Sequence, residues 1–517
     1  MDREQFRKAG YAAVDRICDY FENIESYDVV PSVHPGDTAK LIASGPPTTG
    51  EEWDDIAKDF DRVILPGITH WQSPNFFAYF PANTTYECIL ADMYAGAVSN
   101  PGFNWLCSPA CTELESVAMD WVAKLIGLDE SFQSASKGGG VIQGSASESA
   151  LTVCVAARER FLRLHPGTPA SELVILATTQ THSLAAKAAL ILGLGFHAIE
   201  TKKEDDWALR GKGLRRELEK LEKEGKKPFI LTATLGSTST GAIDNLPEIT
   251  AVTADYPSLF LHVDAAWAGV FLSLPECQEE CYLSALNAVA SPAAIAKAMQ
   301  EGEGAICAGG EVHSFCTNLH KSGLVTFDAS CLFLRDRTLL TKALDVTPPF
   351  LRTSQADSGL VTDFRNYGLA LGRRFRSLKI WFTLRSYGVE GFQGHLRRLN
   401  GLAETLERVL EGRDESQRGI EGVEIFAPRR FALVVIRVGS LKKREDDRDA
   451  DNILNKRLIA LANEDKSIIL TPSTVGEYDV VRIAIGSAYT EERHVRGLVE
   501  KLRGMVKRVR EEVEGKA

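Results

Sequence analysis

The chain has 517 residues, of which 44% are hydrophobic and 25% charged, a composition typical of a globular protein with two or three domains. A formal net charge of −11 argues against a basic nucleic-acid-binding surface. No apolar run approaches the ~18 residues that a membrane span requires, and the charged first residues lack a secretory apolar core.

The ten cysteines are scattered without the spacing of a disulfide scaffold, which fits a reducing cytoplasm. Two close pairs, Cys107 with Cys111 and Cys277 with Cys281, have no neighbouring histidine or second cysteine pair, as a zinc site would need. We therefore expect a cytoplasmic protein without a bound metal.

The first predicted element is an amphipathic helix between residues 6 and 21. One face of it carries apolar side chains, namely Phe6, Ala9, Ala13, Ile17, Tyr20 and Phe21. Such a stripe must be buried, either in its own domain or against a partner subunit.

Residues 71–82 form a stretch that is dense in aromatic and turn-forming side chains. Most of these side chains fit an irregular, packed core segment. Aromatic walls also suit an aromatic ligand, because offset ring contacts add to simple burial of area.

A glycine-rich loop at residues 138–144 leads into Ser145, Ala146 and Ser147, which open a predicted helix to about residue 160. Unpaired backbone N–H groups and hydroxyls at the start of a helix can bind a phosphate group. A glycine-rich loop alone is weak support for such a site.

Strands and helices alternate after this loop. Apolar strands are predicted at 173–177, 229–233 and 259–263, and helical spacing runs from 182 to 194. This order predicts a mostly parallel sheet with helices on both faces. Further on, a basic amphipathic helix is predicted at 371–381, and a helix, strand, helix, strand, strand, helix order follows from about residue 400.

Two separated residues carry the strongest chemical signal. Asp264 ends the third predicted strand, and a buried carboxylate is costly unless a cation meets it. Lys321 stands between His320 and an apolar segment, where desolvation would lower the pKa of its amine and free it for carbonyl chemistry. Pyridoxal phosphate (PLP) requires such a pair: an aspartate that binds its pyridinium nitrogen and a lysine that reacts with its aldehyde. Ligands of parallel sheets bind beyond the carboxyl ends of the strands, where Asp264, Thr238 and His182 would lie.

With these motifs the chain resembles the group II PLP-dependent decarboxylases, and within them the aromatic-L-amino-acid decarboxylase family. The resemblance covers nearly the whole chain and implies an α/β protein of the fold-type I PLP-dependent transferase architecture. The expected parts are an N-terminal helical segment on the partner subunit (1–85), a large PLP-binding domain with a mostly parallel sheet (86–395) and a small α+β C-terminal domain (396–517). It also implies a homodimer.

The resemblance assigns the site residues. Lys321 would hold the cofactor, Asp264 would pair with its ring nitrogen, and His182 would stack on its ring and share in proton transfer. The other expected cofactor contacts are Ser145, Ala146, Ser147, Thr238, Ala266, Asn318 and His320. The expected substrate pocket comprises Trp71, Tyr79, Phe80, Pro81, Ala82, Pro101, Phe103, His182 and Gly372.

Two departures from the family pattern surround the lysine. Ser322 follows Lys321 where the family has a tryptophan. The connection from Asp264 to Lys321 is also longer than in the family, with the excess in an alanine- and glycine-rich segment at about 288–310. Two interpretations of that segment stay open, a surface insertion and an unusual gene model.

A third departure lies on a proline-bearing loop at about 345–362, which is predicted to be a mobile lid over the site. Phe350 occupies the position at which family decarboxylases have a catalytic tyrosine, whose hydroxyl protonates the α-carbon after carbon dioxide leaves. A phenyl ring has no proton to give. In related aldehyde synthases the same replacement lets dioxygen react instead, and the amine is lost. Alternatively, His182 or water supplies the proton and Phe350 has no effect.

Three functions therefore stay open at the level of sequence. The favoured one is an aromatic amino acid decarboxylase, the second an aromatic aldehyde synthase, and the third an inactive paralogue that still binds the cofactor. The pocket residues do not distinguish tryptophan, tyrosine, phenylalanine and dopa, although Gly372 leaves room for an indole ring.

Overall fold

A computed structural model describes residues 1–291, 309–441, 448–513 and 515. Most of the alanine- and glycine-rich segment at about 288–310 lies outside these residues. The chain divides into two compact units. The central unit contains Ala82–Gly401 and Ala427–Leu433, and the terminal unit contains Met1–Pro81, Leu402–Phe426 and Val434–Ala517.

The central unit is built on a seven-stranded sheet in the order β1-β7-β6-β5-β4-β2-β3. Its strands are β1 (Gly139–Gln143), β2 (Leu173–Thr178), β3 (Gly195–Ile199), β4 (Lys227–Thr234), β5 (Phe260–Asp264), β6 (Ser314–Asn318) and β7 (Ser330–Leu334). The strands predicted at 173–177, 229–233 and 259–263 are confirmed to within a few residues as β2, β4 and β5.

Six of the seven strands run in the same direction. The neighbours from β6 through β5, β4 and β2 to β3 are parallel, whereas β7 is antiparallel to both β6 and β1. Because β1 is antiparallel to the one reversed strand, it points the same way as β6. The carboxyl ends of β1, β2, β4, β5 and β6 therefore all open at one edge of the sheet, which is where ligands bind in such sheets.

The sheet is buried, as its near-continuous apolar strands predict. The helix Ala146–Leu164 packs its small side chains, including Ala150, Val153 and Ala157, in one core cluster with Ile175 of β2 and Phe229 of β4. Small residues along one helical face let this helix lie close to the sheet.

Helices surround this sheet. They are Tyr86–Val98, Pro109–Leu125, Ala146–Leu164, Leu184–Leu192, Gly211–Lys223, Leu246–Thr253, Pro275–Gln278, Leu283–Asn287, Thr338–Leu344, Ser354–Asp357 and Ser377–Leu410, the last of which reaches into the terminal unit. That last helix is interrupted at Gly388, where φ is +60°.

The helix predicted at 371–381 begins later, at Ser377, and that part of the prediction is wrong. The backbone before Ser377 bonds to another segment instead of continuing the helix. The Arg373 N–H donates to the Pro101 carbonyl at 2.6 Å.

The terminal unit contains the predicted N-terminal helix, Arg3–Glu22, whose first turn is capped by the Asp2 side chain. Its other helices are Asp37–Leu41, Trp53–Asp59, Arg448–Glu464 and Glu492–Val513. A second sheet has the order β10-β11-β9-β8, with β8 at Val423–Arg430, β9 at Leu433–Val438, β10 at Thr471–Val475 and β11 at Tyr478–Ala484. The order of elements predicted for this region lacked β8. Buried and exposed residues do not alternate regularly along this strand, so it lacks the usual sequence pattern of a strand.

Three further observations concern the described residues alone. No helix in this part of the chain is long and apolar enough to cross a membrane. The nine cysteines within it are free thiols. No cluster of three or more histidine, cysteine, aspartate or glutamate side chains in it is arranged to bind a metal ion.

Candidate active site

The buried carboxylate of Asp264 lies at the centre of the sheet edge. Asp264 is the last residue of β5 and is only 4% exposed. Its Oδ1 accepts a hydrogen bond from the Ala266 N–H at 3.0 Å, and the Cys316 thiol on β6 lies 3.8 Å from the same oxygen. Burial raises the pKa of Cys316 well above its usual range, so both hydrogen-bond partners are neutral. The carboxylate is therefore suited to meet a cation.

Lys321 follows the end of the neighbouring strand, β6. The two strands pair with Asp264 opposite Cys316, so the turns that follow them lie side by side. The Asn318 N–H donates to the Ala266 carbonyl at 2.9 Å, and the Lys321 N–H donates back to the Asn318 carbonyl at 3.2 Å. These backbone bonds connect the turn that carries the lysine to the turn that follows the aspartate.

His182 lies between β2 and the helix Leu184–Leu192. Its Nδ1 accepts a hydrogen bond from the Leu184 N–H at 3.3 Å, which leaves Nε2 to carry the proton of the neutral ring. Desolvation lowers the pKa of His182 below its ordinary 6.5, while Asp264 raises it and Lys321 lowers it. The structure thus brings three of the four predicted catalytic residues, His182, Asp264 and Lys321, within electrostatic reach of one another, with the imidazole neutral at pH 7.

The predicted phosphate site is the start of the helix Ala146–Leu164. Ser145 is the N-cap, and its hydroxyl accepts from the Glu148 N–H at 3.1 Å. Ala146 and Ser147 form the first turn, where backbone N–H groups have no partner within the helix. The positive end of a 19-residue helix dipole therefore faces the same sheet edge as Asp264.

Gly144, just before this helix, lies in a tight space. A β-carbon at this position would lie 2.9 Å from Glu148 Oε2 and 3.2 Å from Asp328 Oδ2. Asp328 is held by Arg376 through two hydrogen bonds of 3.0 and 2.9 Å. The loop before the phosphate site is thus packed against a fixed ion pair.

The remaining predicted cofactor residues also follow strands that end at this edge. Thr238 is half-buried in the turn after β4. His320 is buried, and its Nδ1 accepts from the Ala329 N–H at 2.9 Å. Desolvation lowers the pKa of His320 to about 4, so it is neutral at pH 7. Ser322, where the family has a tryptophan, is 2% exposed and lies inside the protein rather than on its surface.

These residues fit PLP. The cofactor needs a carboxylate for its ring nitrogen, an amine for its aldehyde and backbone donors for its phosphate, and all three occur at one edge of the sheet. A buried acceptor also lies at this edge. Asn318 Oδ1 accepts no hydrogen bond from the described residues and could accept one from a bound group. Asp264, Lys321 and the amides of Ala146 and Ser147 would hold the group.

The predicted aromatic pocket residues Trp71, Tyr79, Phe80 and Pro81 belong to the terminal unit. Trp71 stacks on Phe76 with ring centroids 4.5 Å apart and on Tyr79 at 5.6 Å. The Arg482 guanidinium lies 4.8 Å from the centre of the Phe80 ring and donates to the Tyr79 carbonyl at 3.2 Å. The stretch is an ordered aromatic cluster, and its place beside the substrate stays a prediction.

Two other predicted pocket residues, Pro101 and Gly372, line one cavity of about 420 Å³ in the central unit. Phe103 is half-buried nearby in sequence, and Ala82 is half-buried at the start of the unit. Phe350 lies on the short 3₁₀ turn Pro349–Leu351 and is 80% exposed. Its ring contacts no other aromatic ring of the described residues, so its part in the reaction stays a prediction.

Two residues at the site were missed from the sequence. Cys316 contacts the Asp264 carboxylate from the neighbouring strand, and Asn83 binds the backbone at Lys321. Side chains two residues apart on a strand point to the same face. Cys316 is two residues before Asn318 on β6, so this spacing could have indicated that it faces the site. No local pattern relates Asn83 to a lysine 238 positions away.

Comparison with known proteins identifies the family. The family model described as "Pyridoxal-dependent decarboxylase conserved domain" matches residues 35–298 and 307–437. The chain therefore belongs to the pyridoxal-dependent decarboxylases. The unmatched residues 299–306 fall within the alanine- and glycine-rich segment.

Relatives place the chain among enzymes of aromatic amino acids. It is 38% identical to the aromatic-L-amino-acid decarboxylase of Rattus norvegicus, over 98% of this chain and 99% of that protein. It is 36% identical to the phenylacetaldehyde synthase of Arabidopsis thaliana, over 96% and 94%. The crystal structure of Oryza sativa TDC with PLP and tryptamine superimposes with a TM-score of 0.87, at 32% identity over 98% and 99% of the chains.

The family, the cofactor and the fold-type I architecture expected from the sequence are thus confirmed. The relatives include both decarboxylases and aldehyde synthases, so family membership leaves the product open.

The Asp264→Asn variant tests the role of the buried carboxylate. The amide keeps the shape but loses the charge that holds a ring nitrogen protonated. We expect turnover to fall about 100-fold or more, as when other preorganised charge-stabilising groups are removed. The measurement is kcat on saturating substrate, with bound PLP quantified by absorbance.

The matched control is Asp336→Asn. Asp336 is also buried, at 7% exposure, but its Oδ1 accepts hydrogen bonds from the N–H and the hydroxyl of Thr338, which an asparagine oxygen can accept as well. Its kcat should stay within about twofold of the unmodified protein. An Asp264→Asn protein that retains a third of its turnover with full cofactor would contradict the assigned role.

Proposed function

We propose that this protein is a PLP-dependent carboxy-lyase that converts an aromatic L-amino acid to its arylalkylamine and carbon dioxide. The observation that carries the proposal is the grouping of Lys321, Asp264 and His182 at the edge where the parallel strands end. The decarboxylase relatives support the reaction, and their aromatic substrates support the substrate class.

Each residue has a distinct task in this proposal. Lys321 would provide the amine that holds the cofactor through its aldehyde. When bound, PLP supplies an electron sink for the bond that breaks at the α-carbon. Asp264 keeps the ring nitrogen protonated and so keeps that sink effective. The neutral ring of His182 would stack on the cofactor ring, and it holds a proton at Nε2 because Nδ1 accepts from the Leu184 N–H.

The aromatic cluster of Trp71, Tyr79 and Phe80 supports an aromatic substrate. Tyr79 has a φ of +53°, a left-handed backbone conformation that non-glycine residues adopt at a cost. The Arg482 hydrogen bond to its carbonyl helps to hold this conformation. A strained, ring-lined segment is suited to contact a flat ligand ring.

The first test is aerobic turnover of the purified protein with tryptophan, tyrosine, phenylalanine and dopa. Carbon dioxide, amine, aldehyde, ammonia and hydrogen peroxide are measured together. We expect amine in equal amount to carbon dioxide with at least one of these substrates. Release of no product from any of them would contradict the proposal and favour an inactive, cofactor-binding paralogue.

Phe350 favours a second candidate, an aromatic aldehyde synthase. After carbon dioxide leaves, the α-carbon must receive a proton, and a phenyl ring cannot donate one. Dioxygen then oxidises the α-carbon: amino acid, O₂ and water yield aldehyde, carbon dioxide, ammonia and hydrogen peroxide. The similarity to a phenylacetaldehyde synthase supports this candidate as well.

The Phe350→Tyr variant distinguishes the two candidates. If the unmodified protein forms aldehyde, a tyrosine hydroxyl should raise the amine-to-aldehyde ratio at least about tenfold, since a positioned general acid contributes 10²–10⁴-fold. Phe196→Tyr, at an exposed position on β3, is the matched control and should leave the ratio unchanged. An unchanged ratio in Phe350→Tyr would show that another group decides the product.

We further propose that the enzyme works as a homodimer in the cytoplasm, with the N-terminal helix against the partner subunit. Phe6 and Tyr11 on that helix are 67% and 69% exposed in the single chain, which supports burial against a second copy. The free thiols of the described cysteines fit a reducing compartment.

A further inference from the structure

The turn that carries Lys321 is held by a residue from a distant part of the sequence. The backbone N–H of Asn83 donates to the His320 carbonyl at 3.2 Å, and its side-chain Nδ2 donates to the Lys321 carbonyl at 2.8 Å. Asn83 is 2% exposed, so these bonds form away from water. One residue thus contacts two consecutive peptide groups at the lysine.

This part of the chain needs such support because it has no regular secondary structure. After β6 ends at Asn318, the chain turns without helix or strand until β7 begins at Ser330. Leu324 adopts a left-handed conformation, with φ of +61°, which is costly for a branched side chain. The direction of the Lys321 side chain therefore depends on what holds its peptide planes.

The segment that contains Asn83 is bound to this turn at further points. The Thr84 hydroxyl contacts that of Thr326, and the Thr326 N–H donates to the Cys88 sulfur at 3.4 Å. Cys88 belongs to the helix Tyr86–Val98, so residues 83–88 form one continuous support under the turn. Within this support, the Asn83 side chain bonds to the lysine itself, at its carbonyl.

We infer that Asn83 is a positioning residue for Lys321. By orienting the carbonyls on both sides of the lysine α-carbon, it sets the direction in which the side chain leaves the backbone. The amine is then already held where the cofactor aldehyde would bind. Binding therefore costs less conformational entropy of the lysine side chain than it would if that side chain were free to move. The inference rests on the proposed role of Lys321.

The test is cofactor binding by Asn83→Ala, with Asn83→Leu as a second variant of similar shape that also lacks the donor. Each apoprotein is titrated with PLP, and the visible absorbance of lysine-linked cofactor gives the dissociation constant. We expect it to rise about tenfold, the equivalent of about 1.4 kcal/mol, in the range that loss of a buried hydrogen bond causes. Formation of the absorbance should slow as well.

Asn455→Ala is the matched control for the loss of a buried asparagine. Asn455 is 1% exposed and also bonds to backbone, donating to the Val438 carbonyl at 2.9 Å, but it lies in the terminal unit. Its loss should lower the thermal midpoint of the apoprotein and leave the PLP dissociation constant within twofold. Dissociation constants within twofold of the unmodified protein for both Asn83 variants would overturn the inference.

Lys321→Ala separates failure of this inference from failure of the proposed function. This variant should show no absorbance of lysine-linked cofactor. If it keeps that absorbance, the proposed role of Lys321 is wrong, and the inference about Asn83 fails with it. If it loses the absorbance while both Asn83 variants bind PLP normally, the inference about Asn83 alone is wrong.

Discussion

The burial of the Asp264 carboxylate is the constraint on which the site depends. A negative charge that is 4% exposed, and whose hydrogen-bond donors among the described residues are the neutral Ala266 N–H and Cys316 thiol, is costly in a largely apolar sheet. A protonated pyridine ring would meet that charge and would be a better electron sink for it. In the proposed function the same contact would stabilise cofactor binding and favour the chemistry, and the other groups at the sheet edge lie around it.

That arrangement follows from strand direction. Because β1, β2, β4, β5 and β6 all point the same way, the residues that follow them converge although they are far apart in sequence. The proposed phosphate site follows β1, His182 follows β2, and Lys321 follows β6. The parallel sheet supplies the scaffold, and short backbone bonds such as Asn318 to Ala266 align the turns.

Much of this could be predicted from the sequence, since apolar strands, a capped helix start and an aspartate at a strand end leave local signals. What could not be predicted depends on contacts between distant segments. Asn83 looks like any asparagine in a turn, and its bond to Lys321 appears only in three dimensions. The late start of the helix at Ser377 is of the same kind, because the preceding backbone bonds to Pro101 instead of continuing the helix.

The central claim is that Lys321 is the attachment point of PLP. The central unit also holds Lys379, which is buried and whose pKa is lowered by that burial, whereas Lys321 is half-buried, so a chemical assignment is decisive. The holoenzyme is reduced with borohydride, which fixes the cofactor to its lysine, then digested and mapped by mass spectrometry. We expect the pyridoxyl phosphate group on the peptide that contains Lys321. A label on Lys379 or any other lysine, or no label at all, would contradict it.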